Sequence, residues 1–484
     1  MKRIILRYLL LLPLLAMTFH AEALDLPVKV VKGTEVYYYK VNNNESVYGI
    51  SKKLGIPRED IVRHNPSVAD GVKRGMMLYF PVAEYADEET VAETAPEIAS
   101  EQPAQQIATD SVIEKKPSIA LLLPFGLNSA EPSRENKLAL DFYKGFLIGA
   151  DTLSRRPGEI DIYAIDTDDK SESIAGILSK QTVKDAAVIV APSDPAWLNA
   201  IADSALTGRN YVLNVFVIHD SLYLTNPRML QASIPQKDMY RLATDALISQ
   251  YAGYTPVILR NKDGKNEKET FVNYVCERYR NNAVEPIVIE YENNLLVSEI
   301  ETLPTDGNEK YVIIPSSGSL AEFNRFAYVV KSFRDKLTAT ASEDEETSIP
   351  DYRSRVEVFG YPDWTAFRGD ALDTLHKLGA TIYSRFNDNF NDYSYETIQG
   401  DFLRWFGTEI IESVPNQALL GYDTACLLIK NIRINNGEFN PVYPQRYEGI
   451  QSTFDFEKTR EGFCNATLYI INYQPGGRVS ARTL

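Results

Sequence analysis

"SIALLLPF", Ser118–Phe125, is an unbroken apolar run closed by a proline. A strand with one wet face would alternate apolar and polar residues; a strand buried on both faces reads like this one. Downstream, Leu138, Phe142, Phe146, Ala150 and Leu153 recur every three or four residues, the spacing of one helix face. The alternation then repeats. "IDIYAID" (Ile160–Asp166), "AAVIVAP" (Ala186–Pro192) and "YVLNVF" (Tyr211–Phe216) read as strands, with a helical stretch through Ile174 and Leu178. A helix near Asp238–Gln250, strand "TPVILR" (Thr255–Arg260) and a helix near Glu267–Arg280 follow. Next come "PIVIEY" (Pro286–Tyr291), "KYVIIP" (Lys310–Pro315) and "RVEVFGY" (Arg355–Tyr361). Apolar strands alternating with helices predict an α/β fold of parallel sheets covered on both faces, with units enough for two lobes. "ATASEDEETS" (Ala339–Ser348) is expected to be an acidic surface loop, and "DTDDKSES" (Asp166–Ser173) a solvated acidic one.

The chain has 484 residues, length for two or three domains. Upstream of the long region, residues 84–116 are rich in Glu, Ala, Thr, Gln and Pro and lack an apolar period, which predicts a disordered acidic linker. At the start, Lys2, Arg3 and Arg7 precede an apolar stretch from Leu9 to Met17, and Ala21-Glu22-Ala23 offers a cleavage site. Residues 1–23 therefore read as a secretory signal peptide, and no later stretch is apolar enough to span a membrane. Export points to a periplasmic, cell-wall-associated location. The formal charge is −16. Losing three cations and Glu22 with the signal moves it to about −18, which opposes binding to nucleic acid. Cys276, Cys426 and Cys464 are too few for a disulfide framework; one bridge, or three small buried hydrophobes, both fit.

Residues 37–83 form a small unit of their own. Tyr39-Lys40-Val41 reads as a strand, Ser46 as a helix N-cap, Val47, Ile50 and Leu54 as one helical face, and Gly55 as its left-handed end. Pro57 opens a second helix with Ile61 and Val62 inward; Asn65-Pro66 stops it, and "MLYFPV" (Met77–Val82) is a second strand. This β-α-α-β order resembles the LysM module. The match rests on Tyr39-Lys40-Val41, Asn44-Glu45-Ser46-Val47, Ile50-Ser51, Ile61–Asn65 and Val72–Pro81. Asn44 stands where the family has Gly, and Glu45-Ser46 where it has Asp-Thr. The resemblance implies binding of N-acetylglucosamine-containing glycan, as in peptidoglycan, by Asn44, Glu45, Ser46, Val47, Ser67, Val68, Gly71 and Val72. Plain helix capping by Ser46 and Asn65 explains those two residues equally well.

The long region, 117–484, resembles the type I periplasmic binding proteins of the branched-chain amino-acid receptor kind. The likeness lies in "IALLLPFG", "FYKGFLIGADTL" (Phe142–Leu153), "AAVIVAPSDPAW" (Ala186–Trp197), "NPRMLQASIPQKDMYRLATDAL" (Asn226–Leu247) and "LRWFGTEIIESVPNQALLGYDTACLLIKNI" (Leu403–Ile432). It is also similar to the periplasmic activators of penicillin-binding proteins, whose C-terminal domain has this fold. The resemblance implies an interlobe ligand cleft at Ser193, Asp194, Ser316, Ser317, Tyr361, Asp363 and Trp364. Helix capping is the competing explanation for the serines, and Asp194 beside Ser193 would repel an amino acid's carboxylate.

The histidines His64, His219 and His376 have no metal-ligand spacing, and there is no G-x-S-x-G elbow, P-loop or H-E-x-x-H. The sequence thus implies no catalytic residues, no metal and no cofactor. Two functions are expected: a non-catalytic peptidoglycan-bound scaffold or regulator of cell-wall machinery, or a solute receptor for an amino acid, peptide or muropeptide.

Overall fold

A computed structural model of the chain describes residues 28–31, 34–41, 47–54, 56, 58–65, 68, 72, 76–81, 116–153, 159–305, 309–341, 355–387 and 393–484. Residues 1–23, read as a signal peptide, nearly all of the expected linker, the acidic insert beyond Ala341, and Gly55 and Pro57 lie outside the described residues. The chain divides into two compact units, residues 1–111 and 112–484.

In the first unit, strands β1 (Val28–Val31), β2 (Thr34–Lys40) and β3 (Met77–Pro81) form an antiparallel sheet in that order. Helices Val47–Leu54 and Arg58–His64 lie between β2 and β3 in sequence. The order is thus β-β-α-α-β: β1 adds a strand ahead of the expected motif. Tyr37, Tyr39, Val41, Ile50, Ile61, Leu78 and Phe80 make its core. Asn65 fastens the second helix to β3. Its Nδ2 donates to Ile61 O (3.0 Å) and Tyr79 O (3.1 Å), while Tyr79 N–H donates to its Oδ1 (2.8 Å).

The second unit carries two sheets. Strands β4 (Ser118–Leu123), β5 (Asp161–Asp166), β6 (Val188–Ala191), β7 (Tyr211–Asn214) and β8 (Met229–Gln231) are parallel, in spatial order β8-β7-β6-β4-β5. Strands β9 (Thr255–Asn261), β10 (Ile287–Tyr291), β11 (Tyr311–Pro315), β12 (Val356–Gly360) and β13 (Thr381–Ser384) are parallel in order β10-β9-β11-β12-β13. The C-terminal strands complete both. Strands β14 (Arg446–Glu448), β15 (Thr453–Lys458) and β16 (Phe463–Asn465) extend the first sheet beyond β8. Antiparallel β17 (Tyr469–Gln474) and β18 (Arg478–Thr483) extend the second beyond β13. Central strands β4, β11 and β12 are buried along their whole length, whereas edge strand β10 alternates, as burial on two faces or one dictates. The two-lobed α/β architecture expected from the sequence is present.

Helices Arg134–Leu153 and Gln417–Ile434 cross in contact on the first lobe. A Cβ at Gly145 would lie 1.9 Å from Ala418 O, and one at Gly421 1.9 Å from Phe142 O. Only glycine permits this approach from either side. It explains the glycines in "FYKGFLIGA" and "LLGYD", which buried apolar neighbours Phe142, Phe146 and Leu420 flank. The second lobe centres on a cluster of Phe271, Phe323, Phe359, Tyr361, Trp364 and Tyr383. Cys276, Cys426 and Cys464 are free and buried, packed as small hydrophobes.

The chain crosses between lobes three times, after β8, after β13 and after β16. Side chains tie the crossings together. Asn465 Nδ2 donates to Ala232 O (2.9 Å), Arg385 Nε to Ile234 O (3.3 Å), and Asn387 N–H to Gln451 O (2.8 Å).

Candidate functional site

Residues just past the ends of β7, β12 and β13 line a common pocket, so the strand C-termini of both lobes point into the cleft. In a parallel α/β sheet the loops and helix N-termini that follow those ends present backbone N–H groups there, which makes that side a natural anion site.

In the first lobe the donors are already taken. The loop after β4 turns at Gly126, whose φ is +64°. Its successive N–H groups converge on Asp166, at the end of the neighbouring strand β5. Phe125 N (2.9 Å) and Gly126 N (3.2 Å) reach Oδ1, and Leu127 N (2.8 Å) reaches Oδ2. Asp168 N–H adds a fourth bond at 3.0 Å. Asn136 braces this turn, donating to Pro124 O (2.9 Å) and Asp168 Oδ2 (2.6 Å). Nearby, Ser193 Oγ donates to Glu135 Oε1 (2.6 Å). Asp194 caps helix Pro195–Thr207, accepting from Ala196 N (2.8 Å) and Trp197 N (3.0 Å).

In the second lobe a different carboxylate does the same. Glu267 Oε1 accepts from Ser317 Oγ (2.9 Å) and Gly318 N (2.8 Å), just before helix Leu320–Ala341 begins. The carboxylate at this helix start belongs to the chain itself. Lys268 pairs with Asp363 at 2.7 Å. Trp364 is fully buried, donating from Nε1 to Gly318 O (3.1 Å), and buried Tyr361 donates its hydroxyl to Pro315 O. Both rings therefore sit inside the lobe and hold up the floor of the cleft. Ser316 is buried, and its Oγ has no hydrogen-bond partner among the described residues.

The lobes also touch across the cleft. The loop between helices Tyr393–Phe406 and Gln417–Ile434 is anchored to the first lobe. Ile411 N–H donates to Asp141 Oδ2 (2.8 Å), and Arg134 donates to Glu412 O (3.0 Å). Burial pushes the Asp141 carboxyl up, opposed by that N–H and by Lys144. From this loop Glu412 reaches Arg368 of the second lobe at 2.8 Å, an exposed pair. Behind it remains a pocket of about 290 Å³. Val215, Phe216, Val414 and Leu420 line it from the first lobe, Pro362 and Thr365 from the second, and Arg385 from a crossing. Burial lowers the affinity of the Arg385 guanidinium for its proton, with the neighbouring Tyr383 and Tyr240 acting against it.

Of the glycan-binding candidates, Val47 and Val72 are half-buried against the small unit's core, and Val68 is inside it, 1% exposed. Asn44, Glu45, Ser46, Ser67 and Gly71 lie outside the described residues. Among the described residues no group of three or more His, Cys, Asp or Glu is placed to hold a metal ion, and no helix is long and apolar enough to cross a membrane.

Sequence reasoning missed Asp166, Glu267 and Arg385. "IDIYAID" ends in Asp166, but only the pairing of β5 beside β4 brings that residue under the β4 loop. Glu267 and Arg385 carry no local signal.

No family model matches this chain, and no curated protein matches it. Solved structures to which it is similar include an ABC transporter substrate-binding protein from Desulfitobacterium hafniense in complex with Leu. That match has 13% identity, 76% of this chain, 100% of that one and a TM-score of 0.41. A protein described as a branched-chain amino acid ABC transporter from Rhodospirillum rubrum matches at 11% identity, 76% and 100% coverage and a TM-score of 0.49. Full-length LpoA from Haemophilus influenzae matches at 14% identity and a TM-score of 0.44; 76% of this chain spans 59% of that one.

Proposed function

We propose that this protein is a non-catalytic, exported scaffold or regulator. Its N-terminal unit holds N-acetylglucosamine-containing glycan of peptidoglycan, and its two-lobed unit engages cell-wall machinery. The observation that carries the second part is the self-occupied cleft. Asp166 and Glu267 take up the strand-end and helix-start donors that a receptor would keep for a ligand's carboxylate. Displacing either would expose a desolvated carboxylate to an incoming anion, an unfavourable exchange. Loop and helix-start donors that need no ligand carboxylate suit a partner-binding role better than capture of an amino acid.

Glycan anchoring rests on the LysM-like residues and on a small unit with its own buried core, in which Asn65 bonds helix to strand. A sedimentation assay with purified peptidoglycan tests this. The full chain should co-sediment and a chain lacking residues 24–83 should not; persistence of binding in the deletion would refute the anchor.

Solute reception is the second reading, and one observation favours it: the pocket of about 290 Å³ between the lobes.

A further inference from the structure

The interlobe pocket has an unusual charge balance. Of its twelve lining residues Arg385 is the one that is charged, and none is acidic. Most of the rest are apolar, among them Val215, Phe216, Phe386, Val414 and Leu420. Arg385 is half-buried. Among the described residues it forms no ion pair, and its hydrogen bonding is limited to Nε donating to Ile234 O at 3.3 Å. A guanidinium has five N–H donors in a planar fork. Four remain for a partner, on a group that burial has already stripped of part of its water. A half-buried charge without a counter-ion is costly, and an anion delivered to it would relieve that cost.

We propose that this pocket binds a small organic monoanion, a carboxylate on an apolar body that lacks an ammonium group, with Arg385 holding the carboxylate. The fork geometry of Arg matches a carboxylate bidentately. The apolar walls take the hydrocarbon, and about 290 Å³ falls just short of the roughly 300–1,000 Å³ of drug-sized ligand sites, which suits a smaller molecule. The exclusion of an ammonium follows from the lining. An ammonium is offset best by a carboxylate, and no lining residue is acidic. The neutral oxygens of Thr365, Ser384 and Gln417 would have to hold it beside the like charge of Arg385.

The pocket takes walls from both lobes and one crossing, so an occupant favours the arrangement in which the lobes meet. The site would thus act as a regulatory input to the scaffold. It is independent of glycan anchoring: a chain altered at Arg385 should still sediment with peptidoglycan.

The test is calorimetric titration of the full chain with butanoate, 4-methylpentanoate and phenylacetate, alongside 4-methylpentanamide and leucine. At least one carboxylate should bind, with the amide and leucine at least about tenfold weaker, the usual scale of a lost charge-assisted hydrogen bond. Arg385→Gln should weaken that carboxylate about tenfold or more while leaving the unliganded melting temperature within a few degrees. Val414→Trp, at a half-exposed loop position, should block binding by filling the pocket with its charge intact. No binding by any of the three carboxylates overturns the proposal. Equal binding of the amide, or of leucine, also overturns it. So does binding that survives either substitution.

Discussion

In the first lobe the carboxylate that fills the strand-end donors is part of the sheet. Asp166 closes β5, hydrogen-bonded along its whole length to β4, and it accepts four backbone N–H bonds. In the second lobe the carboxylate comes from a loop. Glu267 precedes helix Glu269–Asn281 and accepts from one hydroxyl and one N–H, while the aromatic floor beneath it bears the structural weight. The first plug is therefore fixed by topology, and the second is fixed by side-chain packing. The contrast teaches that a cleft can be filled from within by two devices of unequal rigidity, and the second should be the easier to open.

The largest effect is expected at the floor of the second lobe. Trp364→Ala removes a fully buried ring packed on Phe323 and Phe367 and should cost about 3–5 kcal/mol in urea unfolding. A cost below about 1 kcal/mol would mean the indole faces a cavity instead of the core. Asp166→Ala should come next, at about 2 kcal/mol, because it strands several N–H donors in a half-buried turn. If its cost did not exceed that of Glu267→Ala, the two plugs would not differ in the way described. Glu267→Ala should cost about 1 kcal/mol and should be partly rescued by acetate, measured as a rise in melting temperature in the variant and none in the wild type. Rescue in both chains would show that Glu267 does not occupy the site. Smallest is Arg368→Ala, which breaks an exposed pair across the lobes. Stability should change by less than about 1 kcal/mol, while small-angle scattering should report a larger radius of gyration at low salt. An unchanged radius would mean the pair does not restrain the lobes.

Much of this fold was legible because its central strands are continuous apolar runs separated by helical periods. Strands β4, β6, β9, β11 and β12 fall within the predicted segments to within one or two residues at each end. Strands β13 to β18 were not read. They are short or carry polar residues, and from β14 onward no helix separates them, so the alternation that marks the rest of the chain is absent. Strand β18, "RVSART", alternates half-buried with exposed residues because it is an edge, and its partner is reached through Gly476 and Gly477 at positive φ. The small N-terminal unit was legible in its β-α-α-β order but not in its extra strand β1, a four-residue run. The cleft was harder still. Ser317, Asp194 and Trp364 were found by their position after strands, but position does not reveal what a side chain already touches. Ser317 and Asp194 make bonds within the chain, and Trp364 belongs to the core. Arg385 follows an unrecognised strand, so nothing nearby in the sequence marked it.

The central claim is that the strand-end donors of both lobes are satisfied by the protein's own carboxylates. Calorimetric titration of the full chain with leucine, isoleucine and the other common amino acids tests it most directly. No binding in the micromolar range is expected. Micromolar binding of any of them, abolished by Ser193→Ala or Ser317→Ala, would contradict it.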